Sequence, residues 1–335
     1  MDEEETGKSR FVLFPIRHQE VWDMYIKARR SIWFVEEIDM AGDISVWNDV
    51  LNDNERKFLK TVLAYFAASD GIVDENIAAN FYVEAKIPEI RAFFATQIFV
   101  ETIHSETYSI LLDAYIQNKE ERESLLQAIE TVPAVKLKAD WTFKWMDQTT
   151  KPLALRIIAF AIVEGVFFSS SFCAIFWVDG HHEGKLKGLK TSNKFISTDE
   201  GMHCDFGCLL FNKYMREKSL ADGSVSEDIV KGMFREAVEI ESIFVKDALP
   251  IHLLGMNADL MIQYVKFCAD RLLVALGFTK LYDAKNPFDF MDKISIESKT
   301  NFFEHRVTEY SKMKSNVPPA TSNKGAFVFT TTDDF

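Results

Sequence analysis

Two copies of a short motif, Glu-x-x-His, place a carboxylate and an imidazole on one face of a predicted helix. The first copy is Glu101 with His104, the second is Glu200 with His203, and no other histidine of the seven has a glutamate three positions earlier. Residues three and four apart share a helix face, and the apolar residues around both motifs indicate that this face is buried. A buried carboxylate beside a buried histidine is costly without compensation, and a metal ion commonly provides it.

Two further carboxylates stand on apolar helix stripes ahead of these motifs. Asp70 lies on the stripe of the helix before the first motif, and Glu164 is the only charged residue between Ile157 and Val178. Bundles that hold two metal ions use one carboxylate from each of two helices and a Glu-x-x-His motif from each of two others. Two divalent cations would also neutralise four buried carboxylates. The pattern predicts a dinuclear metal centre with six ligands: Asp70, Glu101, His104, Glu164, Glu200 and His203.

Tyr108 lies one helical turn after His104, on the same face. Metal storage needs no oxidisable neighbour, whereas an oxygen-activating metal pair could oxidise a tyrosine that is kept dry. Three apolar side chains at helical spacing from the ligands are predicted to turn towards the same centre: Phe168, Phe172 and Ile196. An ordinary core tyrosine has the same spacing, so the local pattern alone leaves both interpretations of Tyr108 open.

The elements that must position these residues are predicted to be helices. Segments with a period of 3.6 residues are His18–Arg30, Asn54–Asn80, Ile87–Gln117, Lys119–Val132, Leu153–Val178, Leu189–Met215, Ser226–Leu249 and Asn257–Leu276. The fifth is long enough to cross a bilayer, but Glu164 within it and the lack of a second span favour the most buried helix of a soluble bundle. A loop is predicted at 179–184, where a solvated turn is favoured over metal binding by His181, His182 and Glu183.

Composition restricts the class of protein further. With 47% hydrophobic residues among 335, the sequence is able to bury a large core. A net charge of −13 argues against binding a nucleic-acid backbone or an anionic membrane surface. Four cysteines without a regular framework suit a reducing compartment, and simple packing is favoured for Cys204 and Cys208. Residues 1–10 are polar and predicted to be disordered, and residues 311–335 are predicted to form a flexible tail.

Short runs along nearly the whole sequence match one known family. These runs are Phe11–Pro15, Glu36–Asp39, Ala67–Gly71, Glu101–Ser105 with Tyr108, Val163–Phe168, Asp199–Phe206, Gly255–Asn257, Asn286–Met291 and Lys299–Glu304. Through them the protein resembles the small, radical-generating subunit of class I ribonucleotide reductase, most closely its eukaryotic form. Two departures are visible: Thr198 stands where relatives commonly have arginine, and the loop at 179–185 is slightly longer.

The resemblance implies an all-α, ferritin-like helical bundle with additional helices over residues 11–310, in a cytoplasmic protein. Two irons per protomer, with manganese possible, would bind the six ligands and activate O2. Tyr108 would become a stable tyrosyl radical in a pocket of Phe168, Phe172 and Ile196.

The resemblance also implies partners. A radical-transfer path would run from near His104 through Asp199 and Trp33, and Tyr310 would carry it towards the large catalytic subunit. The tail ending in Phe335 would dock on that subunit, and the small subunit would itself be a homodimer. Ribonucleotides would be reduced on the large subunit, since this sequence shows neither paired redox thiols nor a glycine-rich phosphate loop.

Two other interpretations remain. One is a different ferritin-like di-iron protein, an oxidase or an iron store, against which Tyr108, Trp33, Tyr310 and the acidic, aromatic tail count. The other is a scaffold paralogue of the small subunit that binds no metal, against which the complete set of six ligands counts.

Overall fold

The protein is built from helices. A computed structural model describes residues 10, 12–127, 132–248, 256–292 and 294. The side chains of residues 70, 72–76, 79 and 248 lie outside that description. The helices are α1 Gln19–Ser31, α2 Asp43–Asp49, α3 Asp53–Asn76, α4 Tyr82–Glu84, α5 Pro88–Tyr115, α6 Lys119–Leu126, α7 Pro133–Met146, α8 Leu153–Ile162, α9 Ser169–His181, α10 Lys187–Leu210, α11 Arg216–Ala221, α12 Glu227–Ala248 and α13 Ala258–Ala275. Three π-helical segments join them at Ile77–Phe81, Val163–Phe167 and Phe211–Met215, and a 3-10 turn spans Val35–Glu37. Within these residues there is no strand, which confirms the predicted all-α class.

Each predicted helix has a counterpart, but α2 and α7 were missed, and so were the short helices α4 and α11, which lie beyond the predicted ends at Asn80 and Met215. The reason at α7 is visible in its sequence, where apolar and polar residues alternate from Val135 to Trp145 and hide the helical period. The loop predicted at 179–184 is partly wrong, because α9 continues to His181. Residues 128–131 of the predicted helix Lys119–Val132 and residue 249 of the predicted helix Ser226–Leu249 lie outside the described residues. Val132 is described and is not helical.

The protein divides into a unit Met1–Met291 and a unit Asp292–Phe335. Of the second unit only residues 292 and 294 are described. Of the predicted disordered segment 1–10, residues 1–9 lie outside the described residues, as do the boundary at 310 and the tail 311–335. Arg10 is described, and its guanidinium group contacts the Glu89 carboxylate.

One continuous helical stretch, Leu153–His181, forms the centre of the bundle. It consists of α8, the π-helical segment 163–167 and α9, and it packs against α10, α12 and α13. It is also the one candidate membrane span among the described residues, yet 89% of its apolar window is buried by the rest of the protein. That burial is expected of a core helix. On another side of the bundle, α5 packs against α1, α3 and α10.

The start of α10 is held by a carboxylate from a distant part of the sequence. Buried Asp43 accepts hydrogen bonds from the backbone N–H groups of Gly188, at 3.1 Å, and Leu189, at 2.7 Å, and from the Tyr115 hydroxyl at 2.9 Å. It thereby satisfies two of the backbone donors that a helix leaves unpaired at its N-terminus. A Cβ atom at Gly188 would lie 2.9 Å from the Asp39 carbonyl oxygen, so only glycine fits this approach. Asp43 therefore fixes the register of the helix that carries the second Glu-x-x-His motif.

Candidate metal centre

Four of the predicted ligands meet in the core. Glu101, Glu164, Glu200 and His203 can each place one ligand atom within 4.8 Å of the others. All four are at most 4% exposed. They come from three elements: α5, the π-helical segment 163–167, and α10. A π-helical turn inside a longer helix is often found at functional sites, and here it carries Glu164.

The two Glu-x-x-His motifs face each other. His104 Nδ1 lies 3.1 Å from Glu101 Oε2 and 3.0 Å from Glu200 Oε1. His203 Nδ1 lies 2.9 Å from Glu101 Oε1 and 3.0 Å from Glu200 Oε2. Each imidazole therefore contacts its own glutamate and that of the other motif. This arrangement brings His104 to the cluster as the fifth predicted ligand.

The carboxylates and imidazoles of the cluster shift each other's pKa values towards the charged forms. Burial and the charge of Glu200 raise the pKa of Glu101, but His203 and His104 outweigh them and hold that pKa below its ordinary value. Burial lowers the pKa of His203, but Glu101 and Glu200 overcome this and raise it to about 10. Burial also lowers the pKa of His104, yet its contacts with Asp199, Glu101 and Glu200 raise it well above its ordinary value. In both imidazoles the neighbouring carboxylates thus favour the protonated form.

The donor set suits divalent metal ions. Carboxylate oxygens and imidazole nitrogens converge in a space closed to solvent, and such mixed sites hold iron and manganese in proteins. A metal ion would take the place of protons on these side chains, because ligands must lose their protons to bind it. The sixth predicted ligand, Asp70, belongs to α3, and its side chain lies outside the described residues.

A series of contacts leads from His104 to Trp33. His104 Nε2 lies 3.1 Å from Asp199 Oδ2, and the Trp33 indole N–H donates to the same oxygen at 2.7 Å. The Trp33 ring also stacks on His104 with 6.0 Å between centroids. Thr198 donates to the Lys194 carbonyl at 2.8 Å, within its own helix. Thr198 therefore leaves both contacts of Asp199 in place.

Tyr108 is 2% exposed and stacks on Phe66, with 4.7 Å between centroids and 10° between planes. Phe66 in turn contacts Phe172 at 4.8 Å and Phe168 at 5.5 Å. Both phenylalanines and Ile196 are buried, as predicted. Phe66 was not predicted as a pocket residue, although its place one helical turn before Asp70 was the available signal.

The remaining candidate residues either are separate from this cluster or lie outside the described residues. His182 Nε2 lies 2.9 Å from Glu55 Oε1, and His181 stacks on Trp177 with 5.1 Å between centroids. Neither belongs to the metal-binding group found among the described residues. Cys204 donates to the Ala161 carbonyl at 3.6 Å, and Cys208 is buried, in line with packing roles. Tyr310 and Phe335 lie outside the described residues.

Comparison with known proteins gives consistent matches. The family model described as "Ribonucleotide reductase, small chain" matches residues 10–287. The ribonucleoside-diphosphate reductase small subunit of Dictyostelium discoideum is 49% identical over 306 residues, covering 91% of this protein and 88% of the relative. The ribonucleoside-diphosphate reductase subunit M2 of Danio rerio is 52% identical over 304 residues, covering 91% and 76%. Among solved structures, the ribonucleotide reductase Rnr4 homodimer from Saccharomyces cerevisiae matches with a TM-score of 0.74 at 32% identity, covering 91% of this protein and 90% of that one.

Proposed function

Because the protein belongs to the family of ribonucleotide reductase small chains, an oxidoreductase family, we propose that it holds two iron ions and stores an oxidising equivalent as a radical on Tyr108. The large subunit of the reductase would use this equivalent to reduce ribonucleotides. The observation that carries the proposal is the meeting of the two Glu-x-x-His motifs one helical turn from a buried tyrosine.

The side chains around the cluster have distinct roles. Asp70, Glu101, Glu164 and Glu200 would supply oxygen ligands, and His104 and His203 would supply Nδ1. When bound, the iron pair supplies the oxidising power of activated O2. Asp199 accepts from His104 Nε2, which fixes the ring and leaves Nδ1 for the metal. Phe66 covers one face of Tyr108 and keeps water from its ring.

Trp33, Asp199 and His104 would form the route by which the oxidising equivalent leaves. Asp199 joins the other two through one oxygen, so the three groups are in direct contact. Tyr310 would receive the equivalent next, and the segment ending at Phe335 would bind the large subunit. The Rnr4 relative is a homodimer, and we propose the same state for this protein. The cytoplasm is the proposed location, since its reducing conditions suit free cysteines such as those described here.

The test is to load metal-free protein with Fe(II) in the presence of O2, and then to record metal content, visible absorption and electron paramagnetic resonance. We expect about two irons per protomer, as for other bundles of this kind, and a tyrosyl signal that Tyr108→Phe abolishes without loss of iron. Loading with manganese in parallel measures which metal the site prefers. An iron store would take up far more iron without a radical, and a scaffold paralogue would take up none.

A further inference from the structure

A second buried charge cluster lies outside the metal centre and links α7 to α12. Lys138 Nζ lies 2.6 Å from Glu241 Oε2, and it donates to the Phe167 carbonyl at 3.0 Å. The Ser170 hydroxyl donates to the other oxygen of Glu241. Both charged side chains are at most 2% exposed. An apolar pair is often at least as stable as a buried ion pair, so stability alone gives little reason for this one.

The ammonium group faces two aromatic rings. Lys138 Nζ lies 3.7 Å from the centroid of Tyr65 and 3.6 Å from that of Phe244. Both distances are well inside the range of cation–π attraction, which is strongest where water is absent. Tyr65 is 1% exposed, so the contact is dry.

Tyr65 is also a close neighbour of the Tyr108 pocket. Its ring centroid lies 5.7 Å from that of Phe66 and 5.7 Å from that of Phe168. Phe66 also stacks on Tyr108 with 4.7 Å between ring centroids, so the single ring of Phe66 connects the two tyrosines. A buried tyrosine at this distance could reduce a Tyr108 radical.

The radical could move from Tyr108 to Tyr65 by an exchange that balances within the protein, and this exchange must be prevented. Tyr65 would lose one electron and its phenolic proton, and the Tyr108 radical would gain one electron and one proton to become a phenol again. No outside oxidant is required, so the radical remains on Tyr108 only if Tyr65 is the harder of the two to oxidise.

We propose that Lys138, held in place by Glu241, is a positioning residue that confines the radical to Tyr108 by making Tyr65 harder to oxidise. An ammonium group is attracted to an electron-rich ring face, and loss of an electron from that ring weakens the attraction. Positive charge that develops on the ring during electron loss is also repelled by the ammonium. Tyr108, in contrast, stacks on the neutral ring of Phe66. The inference rests on the proposed function, because it requires a radical on Tyr108.

The test compares radical lifetimes in iron-loaded, full-length protein. Lys138→Met combined with Glu241→Gln removes both charges together, which avoids an unpaired buried charge and keeps an acceptor for Ser170. We expect the half-life of the Tyr108 signal in electron paramagnetic resonance to fall roughly tenfold or more, as when a dry cation–π contact is lost. Adding Tyr65→Phe to the same variant should restore the lifetime, because the competing phenol is gone. Lys144→Met, at an exposed lysine of the same helix, is the matched control.

The outcomes separate the inference from the proposed function. An unchanged half-life in the double variant, or a loss that Tyr65→Phe does not restore, overturns the role of Lys138. Absence of any tyrosyl signal in the unaltered protein instead overturns the proposed function. Metal content and circular dichroism confirm that each variant is loaded and folded. If the double variant does not fold, Lys138→Gln with Glu241→Gln replaces it, since two amides can hydrogen-bond to each other, and the same outcomes decide.

Discussion

At the scale of single residues, the candidate metal centre is made of side chains whose partners lie both on their own helix and on the facing helix. Each imidazole of the cluster contacts the glutamate of its own helix and the glutamate of the facing helix. Each imidazole therefore meets its second glutamate only when both helices are in place. A change to one ligand should consequently affect binding by all the others.

Glu164→Gln should weaken metal binding while leaving the fold in place. The substitution preserves volume but removes a negative charge from a fully buried carboxylate cluster. Because loss of even an outer partner of a metal ligand lowers affinity by roughly 10–100-fold, loss of a ligand should cost at least that much. Metal titration of the variant and of Glu217→Ala, an exposed control, measures the effect. Two tightly bound irons and a normal radical in Glu164→Gln would show that this residue is not a ligand.

Trp33→Phe should separate radical formation from radical use. The phenylalanine retains an aromatic ring beside His104 but cannot donate to Asp199, as the indole does at 2.7 Å. We expect a normal Tyr108 signal together with ribonucleotide reduction at background level when the large subunit is added. Trp47→Phe is the matched control, since Trp47 is a buried indole stacked on Tyr115. Full activity of Trp33→Phe would exclude Trp33 from the path.

The sequence predicted best those residues whose role follows from spacing along one helix. Glu101 with His104, and Glu200 with His203, share a face by helical geometry alone, and the structure brings them together. Phe66 was overlooked although its spacing before Asp70 offered a signal, whereas the role of Lys138 depends on contacts between helices that no local period encodes. Lys138 also reads as a surface residue, since charged residues are seldom buried without a partner.

At the scale of elements, two devices position the predicted ligands. The π-helical segment 163–167 carries Glu164 within a long buried helix, and Asp43 holds the first turn of α10 from outside. Neither device could be predicted from the sequence. A π-helical turn has no reliable signature in spacing, and Asp43 lies far from α10 along the backbone.

Asp43→Ala should destabilise the protein and weaken metal binding together. It leaves the N–H groups of Gly188 and Leu189 without their acceptor in a buried place, at an expected cost of about 2–3 kcal/mol. Because α10 carries Glu200 and His203, a looser first turn should also lower metal affinity. Denaturant unfolding and metal titration, with exposed Asp49→Ala as the control from the same helix, measure both effects. Stability equal to that of the control would show that α10 needs no such cap.

The ion pair between α7 and α12 should make stability depend on pH above neutrality. Burial lowers the pKa of Lys138, which Glu241 only partly offsets, from 10.5 to about 8. Between about pH 8 and 10.5 the unfolded protein therefore binds more protons than the folded protein, so this group's contribution to stability rises with pH. Its full size is of order 3 kcal/mol at about 1.4 kcal/mol per pH unit.

Denaturant unfolding at several pH values, of the unaltered protein and of the Lys138→Met/Glu241→Gln variant, measures this dependence. The other titrating groups are common to both proteins, so the difference between the two curves reports the pair. The unaltered protein should gain stability relative to the variant as pH rises through the window. Parallel curves would mean that the lysine titrates at its ordinary pKa.

At the scale of the whole molecule, generating the oxidising equivalent and using it are proposed to be separate tasks on separate subunits. The C-terminal segment, which lies outside the described residues, ends with Phe327, Phe329 and Phe335 beside Asp333 and Asp334. Aromatic anchors next to negative charge are typical of peptides that bind a groove with basic rims.

Deleting Thr330–Phe335 should therefore leave the metal centre and the Tyr108 radical intact but abolish ribonucleotide reduction. A synthetic peptide of these residues should inhibit the complete enzyme by competition. Both activity with the large subunit and radical content are measured in the same truncated sample. Full activity at ordinary subunit concentrations would exclude a docking role, and loss of the radical would show that the segment supports the fold.

The apolar stretch Leu153–His181 has a consequence for the synthesis of the protein on the ribosome. Its apolar window ends up 89% buried, but three of the elements that cover it, α10, α12 and α13, are translated after it. For that interval the nascent polypeptide exposes a segment long enough to be mistaken for a membrane anchor or to aggregate. Nascent polypeptides that stop before α12 is made should accordingly depend on chaperones for solubility, whereas the finished protein should not.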